Sequence, residues 1–420
     1  MRKSVIFWLF CIVKLLVLSG IYAETLPELK NISVGQKNLK IVEEKDPATK
    51  ETKGYHLYIE KLPGIESVML TETTKDPTGQ EPNYAYRAKE YNKINGDEIR
   101  MLNGEKLDSP SARYSLVDST PEANEYFSEC FHIFIPAEIV YGYPWSRNGT
   151  VKIGKGTFIN IRTFEKKYCD YTGRFLDNPF MFDFAVKKIP PKKKAPKKKI
   201  EPAPVPVTEP EPEPEVILTD DYNPMAAYTF DQISESMIFS KGPETIIDDI
   251  MTQIKSMPKD RADIVFAIDA TGSMKDDIQM LKDEWIPSLL EGLKEFKSVR
   301  LGLVFYRDYG DNFNYNGLPV RWYTFTDNVN DFVKNVRSIT IRGNEGGDVP
   351  EAVYEALWAS MELFSWDYTA ARKVILIGDA EPHPTPRRSG KYSKQLVEEI
   401  SKKKGITINA IIVPDDKSKR

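Results

Sequence analysis

Histidine and cysteine are scarce in this chain, with three of each among 420 residues. Imidazole-based catalysis therefore has few candidates. No GxxxxGK[ST] phosphate loop, G-x-S-x-G elbow or H-E-x-x-H zinc motif occurs either. An excess of one charge is also missing. The 58 basic and 62 acidic residues leave a net charge of -4, so no overall field invites nucleic acid. Beyond the N-terminus, no apolar run reaches the roughly 20 residues that a bilayer-spanning helix requires. What remains is a composition 41% hydrophobic, suited to a soluble globular protein. The length suggests roughly two to three domains.

The N-terminus differs locally. Arg2 and Lys3 precede an apolar stretch from Val5 to Leu18, followed by Ile21-Tyr22-Ala23. That layout is a secretory signal cleaved between Ala23 and Glu24. The alternative is an uncleaved anchor, against which Lys14 interrupts the run. Export would place the protein in a periplasm, on a cell surface or in the medium. Cys11 leaves with the signal, and the remaining even pair, Cys130 and Cys169, is compatible with one disulfide.

Residues 24–188 carry short β-favouring runs: Tyr55 to Ile59, Ser67 to Leu70, Phe131 to Ile135, Val151 to Ile153 and Thr157 to Phe164. Turn residues separate them, as in Asn95-Gly96, Asn103-Gly104 and Thr172-Gly173. The pattern predicts a β-rich domain, sandwich- or barrel-like. Its dense aromatics, among them Tyr84, Tyr86, Tyr141, Tyr143 and Trp145, read as core or cross-strand packing before any sugar or peptide surface. His132 alternates with apolar neighbours and reads as structural.

From 189 to 215 the composition shifts to Pro, Lys and Glu, with Lys192 to Lys194 and Lys197 to Lys199 followed by Glu209, Glu211, Glu213 and Glu215. Recurrent proline predicts a semi-rigid polyproline linker. The basic block could touch anionic envelope surfaces, but so short a block binds weakly at physiological salt. Residues 216–261 read as further linker plus an amphipathic helix over Glu244 to Met257.

From Asp263 onward, apolar strands alternate with helical patterns. Strands are expected at Ile264–Ile268, Val299–Tyr306, Trp322–Phe325, Val374–Ile377 and Ile406–Val413. Helices are expected at Met274 to Phe296, Asp327 to Val336 with Asp327 as N-cap, Glu351 to Phe364 opened by Pro350, and Lys391 to Lys403. Such alternation predicts an α/β doubly wound, Rossmann-like parallel sheet. Where Ile264–Ile268 hands over to its helix stand Asp269, Thr271 and Ser273, at a sheet edge where ligands bind in open α/β folds. A carboxylate and two hydroxyls suit Mg²⁺ or Mn²⁺.

Asp269-Ala270-Thr271-Gly272-Ser273 resembles the D-x-[ST]-x-S signature of the metal-ion-dependent adhesion site (MIDAS) of von Willebrand factor type A domains, and the resemblance spans residues 262–413. It implies a second aspartate after the fourth main strand, here Asp379. The family's intervening threonine is absent. The loop reads Gly343 to Glu351, and its GGDVPE run, with DATGSM and DAEPH, resembles a subgroup in which Asp348 stands for the threonine. Asp348 reads equally as a ligand and as a helix N-cap. Asp308 belongs to another block of that subgroup and receives no metal role. A domain of this family usually continues with one more helix and strand, so this copy looks shortened.

Three functions remain open. The first is an exported, metal-dependent protein-binding module, used in adhesion or as a scaffold, whose metal accepts an acidic residue of a protein partner. A third nearby carboxylate would hold the cation tighter and blunt that acceptance. The second is a structural envelope protein whose metal only stabilises the fold. The third is a hydrolase using the same aspartates. An aspartyl-nucleophile phosphatase, however, wants an acid where Thr271 stands. His383, between Pro382 and Pro384, reads as a stiff loop residue near the site rim.

Overall fold

The structure, a computed structural model, describes residues 31–71, 117–141, 149–185, 215–383 and 391–415, apart from positions 171, 312, 314 and 348, with short strand segments between 87 and 106. The signal stretch with Ala23 and Glu24, most of the proline-rich run, and Asp348 lie outside the described residues. So do Tyr84, Tyr86, Tyr143 and Trp145. No helix among the described residues is long and apolar enough to cross a membrane.

The N-terminal half is antiparallel. Strands β1 (Leu39–Lys45), β2 (Thr52–Glu60) and β5 (Cys130–Pro136) form one sheet. The second contains β3 (Ser67–Thr71), β4 (Val117–Asp118), β6 (Phe158–Phe164), β7 (Phe175–Ala185) and β8 (Glu215–Thr219), in the order β8-β7-β6-β3-β4. Period-two alternation explains the packing: Tyr55, Leu57 and Ile59 share one buried cluster with Ile133, Ile161, Phe180 and Leu218, while His56 and Tyr58 take the opposite face. Two elements depart from the sequence expectations. Strand β7 runs through Pro179, a residue that argues against a strand interior, and pairs it with Asn160. Strand β8 starts inside the stretch read as linker. The alternation of Val216 and Leu218 gives it an apolar face, and it pairs with β7. The chain thus returns to the β half before crossing over.

The expected disulfide is not formed. Cys130 and Cys169 are buried thiols. Cys169 packs with Met69 and Phe164, away from the main core. Cys130 opens β5, where Asn124 Nδ2 lies 3.2 Å from its sulfur. Burial pushes the Cys130 thiol up to about 11, so it is a poor nucleophile.

The C-terminal half is an α/β unit around one six-stranded sheet. Its strands are β9 (Ser236–Phe239), β10 (Arg261–Asp269), β11 (Ser298–Tyr306), β12 (Val320–Thr326), β13 (Ala371–Gly378) and β14 (Thr407–Ile412), in the order β9-β14-β13-β10-β11-β12. All pairs are parallel except β11 with β12. Helices α2 (Ile246–Lys255), α3 (Lys275–Leu293) and α4 (Val329–Arg337) cover one face, and α1 (Pro224–Ile233), α5 (Val353–Glu362) and α6 (Lys394–Lys404) the other. The unbroken apolar run Ile264–Ile268 follows from this double cover. Ile264, Phe266 and Ile268 point into one core, and Val265 and Ala267 into the other. Two caps differ from expectation. Asn328, not Asp327, caps α4 by accepting from Asn330 N at 2.9 Å. Helix α5 begins at Val353, three residues after Pro350, because Glu351 is held in an isolated bridge to Pro382.

Candidate metal centre

Parallel pairing aligns the carboxyl ends of β10 and β13, and this brings Asp269 and Asp379 together at one edge. Asp269 is the last residue of β10 and fully buried. Its Oδ1 accepts both the Thr271 amide, at 2.9 Å, and the Thr271 hydroxyl, at 2.7 Å, so the loop turns back on its own carboxylate. The Thr271 and Ser273 hydroxyls are 3.4 Å apart. Glycine is required beside them. A Cβ on Gly378 would stand 2.5 Å from the Tyr306 hydroxyl, and one on Gly272 would stand 2.7 Å from the Gly343 carbonyl carbon. Arg307 braces the loop by donating from Nε to Ala270 O, at 2.8 Å, and from Nη2 to Thr340 O, at 2.6 Å.

Of the candidates, Thr271, Ser273 and Asp379 line one open cavity of about 420 Å³, with Asp269 beneath it. Glu351 and Asp415 line it too, and neither was a candidate from sequence. Glu351 is the more informative. It is buried, its amide donates to Glu381 O at 2.9 Å, and its carboxyl lies against Gly346. The signal for it was present: an acid directly after Pro350 in the GGDVPE run. The bridge to Pro382 turns that acid inward instead of leaving it in a helix.

Three carboxylate oxygens here are buried with no hydrogen-bond partner among the described residues: Asp269 Oδ2, Asp379 Oδ1 and Glu351 Oε2. The electrostatics reflect this. Burial pushes Asp269 up to about 6, against the Thr271 hydrogen bonds and the Arg307 charge. Burial and then the Asp269 charge hold Asp379 well above the usual carboxylate range. Glu351 is pushed up to about 11, by burial first and then by Asp269, Asp308 and Asp379. Acids crowded in this way are not all ionised together without a compensating cation.

Among the described residues, no group of three or more His, Cys, Asp or Glu side chains is arranged to hold a metal ion. The donors at the cavity are of mixed kind, the Thr271 and Ser273 hydroxyls beside single oxygens of Asp269, Asp379 and Glu351. Such a set fits Mg²⁺ or Mn²⁺, which binds through one or two carboxylates and keeps several waters. Each orphaned oxygen is a buried acceptor that a cation, a proton or a bound water would satisfy. His383 does not reach the rim. It is buried in a pair with Asp308, Nε2 to Oδ1 at 2.7 Å, which ties the loop after β11 to the loop after β13.

No protein-family model matches the chain. Over 130 residues it is similar, at 31% identity, to the alpha-protein kinase vwkA of Dictyostelium discoideum, covering 30% of this chain and 20% of the kinase. The chain therefore spans about a fifth of that relative's length. Among solved structures, it is similar to the conserved hypothetical protein BatB from Bacteroides thetaiotaomicron, at 15% identity and a TM-score of 0.26, over 36% of this chain and 66% of that one. It is also similar to an aerotolerance-related membrane protein from Bacteroides fragilis, at 17% identity and a TM-score of 0.25, over 36% and 67% of the two chains.

Proposed function

We propose that residues 262–413 form a von Willebrand factor type A domain, and that it holds Mg²⁺ or Mn²⁺ through Asp269, Thr271, Ser273, Asp379 and Glu351. The protein is exported, and the metal centre is the means by which it binds a protein partner, in adhesion or as a scaffold. The N-terminal half is a sandwich-like module, and the proline-rich run is its spacer. The observation that carries this reading is that Asp269, Asp379 and Glu351 each keep one buried carboxylate oxygen without a partner among the described residues, the latter two at an open cavity that the Thr271 and Ser273 hydroxyls also line. A bound cation satisfies those acceptors and remains reachable from solvent through the cavity.

Glu351 favours a second reading, in which the metal stabilises the fold without capturing a partner. A third carboxylate beside the cation lowers its appetite for an acid brought by another protein. Retention of partners from an envelope extract, in Mg²⁺ and in chelator, separates the two when folding is followed by circular dichroism. The binding reading expects chelator to release the partner with the fold intact. Retention that chelator leaves unchanged, or loss of the fold itself, contradicts it. Because α5 starts at Val353 with Ala352 at its N-cap position, Asp348 loses its reading as the cap of that helix and keeps only its reading as a ligand.

A further inference from the structure

We infer that the histidine pair His56–His132, on the outer face of the β1-β2-β5 sheet, is a chelating site for a borderline transition cation, with Zn²⁺ as the simplest occupant. It is independent of the carboxylate centre. Alternation sends Tyr55, Leu57, Ile59, Phe131, Ile133 and Ile135 into the core, so His56 and His132 share the opposite face as diagonal neighbours. Their near nitrogens, His56 Nδ1 and His132 Nε2, are 2.9 Å apart. Behind each ring stands a carboxylate. Glu44 Oε2 is 2.7 Å from His56 Nε2, and Glu122 Oε1 is 3.8 Å from His132 Nδ1.

A carboxylate behind the ring is the usual support of a metal-ligating histidine, since it takes the far N–H and aims the near lone pair. Glu44 does this for His56. In the metal-free fold the two near nitrogens share one hydrogen bond, and a cation takes the place of its proton when His132 carries its own proton on Nδ1, towards Glu122. The rings are already oriented. Tyr58 stacks on His132 at 4.5 Å and 19°, and Phe134 meets His56 edge-on at 5.0 Å. Tetrahedral zinc with Zn–N near 2.0–2.1 Å sets its two nitrogens roughly 3.3 Å apart, so the rings need part by only a few tenths of an ångström. Two protein ligands leave the remaining positions to water. Imidazole nitrogen suits zinc, copper or nickel and not Mg²⁺, so the two centres take different ions. A metal here would staple β2 to β5, with Glu44 extending the link to β1.

The test is calorimetric titration of Zn²⁺ into the full chain with excess Mg²⁺ present. One equivalent is expected to bind in wild type and in Asp269→Ala alike, and to be lost in His56→Gln and His132→Gln. Glu44→Gln is expected to weaken binding about tenfold with unchanged stoichiometry. Because a histidine variant can fail to fold, Cu²⁺ bound to wild type is read by electron paramagnetic resonance. Couplings from two imidazole nitrogens support the site. An oxygen-only spectrum, absence of zinc heat in wild type, or zinc binding that survives in folded histidine variants overturns it.

Discussion

Strand β10 carries a buried aspartate near each end, and the two are treated oppositely. At the amino end, Asp263 is saturated. Arg300 donates to it from Nε at 2.8 Å and from Nη2 at 2.6 Å, and the Asp367 amide adds a third bond at 2.7 Å. At the carboxyl end, Asp269 has one oxygen tied to Thr271 and the other without a partner among the described residues. Both side chains are equally out of water. A buried charge that is fully paired is explained by the fold. One left half-paired, beside two other acids that each keep one oxygen without a partner among the described residues, is where the proposed ion would act, because an unsatisfied buried acceptor costs free energy. On the metal-binding proposal, the two acids of this one strand are told apart by where their second oxygen goes.

The comparison breaks most visibly if both ends behave alike on mutation. Asp263→Ala strands the Arg300 guanidinium and is expected to cost about 3 kcal/mol, towards the low end for a broken buried pair because Arg300 is partly exposed. Asp269→Ala is expected to leave metal-free stability unchanged or raise it, since it removes a crowded acid. Urea denaturation of both variants in chelator checks this. Equal losses would erase the distinction.

The carboxyl end also gives the protein a particular pH dependence. Asp269, Asp379 and Glu351 all have raised pKa values in the fold, so above the ordinary carboxylate range the folded chain binds more protons than the unfolded one. Stability then falls as pH rises. The metal-free melting temperature is expected to drop between pH 5 and pH 8, through the Asp269 value of about 6. Mg²⁺, which takes the ionised forms, is expected to restore more at pH 8 than at pH 5. A metal-free melting temperature that climbs over that range would contradict the crowded-acid account.

Glu351→Gln sharpens the picture at a smaller scale. The amide resembles the protonated acid that the metal-free fold prefers but needs no proton taken up on folding, so stability in chelator should match wild type at about pH 4 and exceed it increasingly as pH rises. Mg²⁺ affinity should fall, and titration of the variant checks both. The smallest effect concerns no site at all. Asn328→Ala removes the α4 cap and is expected to cost about 1 kcal/mol with cation binding unchanged.

Legibility in the sequence followed the same division. The carboxyl edge was readable because Asp269, Thr271 and Ser273 are local, and because strands buried on both faces are continuous apolar runs such as Val374–Ile377. Glu351 was not, since its inward turn depends on the bridge to Pro382, thirty-one positions away in the chain. The β half was readable as short strands, but β7 was hidden by Pro179. Strand β8 was hidden by its place directly after the proline-rich run, and the Cys130–Cys169 pairing failed because spacing says nothing about separation in space. Helix α1 carried an unused signal, Asn223 as cap with Pro224 at the first turn. His56 had none. Only pairing with β5 sets it beside His132.

The central claim is that the orphaned oxygens at the end of β10 are cation ligands, and calorimetric titration of Mg²⁺ into the full chain at pH 8 tests it most directly. The full chain is needed because β8 belongs to the β half, so a fragment starting at residue 217 would cut that strand. The account predicts one bound equivalent, abolished in Asp269→Ala and retained in Asn328→Ala, with a stabilisation of about 2.7 kcal/mol once free Mg²⁺ reaches a hundred times its Kd. Absence of binding by wild type at millimolar Mg²⁺ or Mn²⁺, or binding that survives in Asp269→Ala, would contradict it.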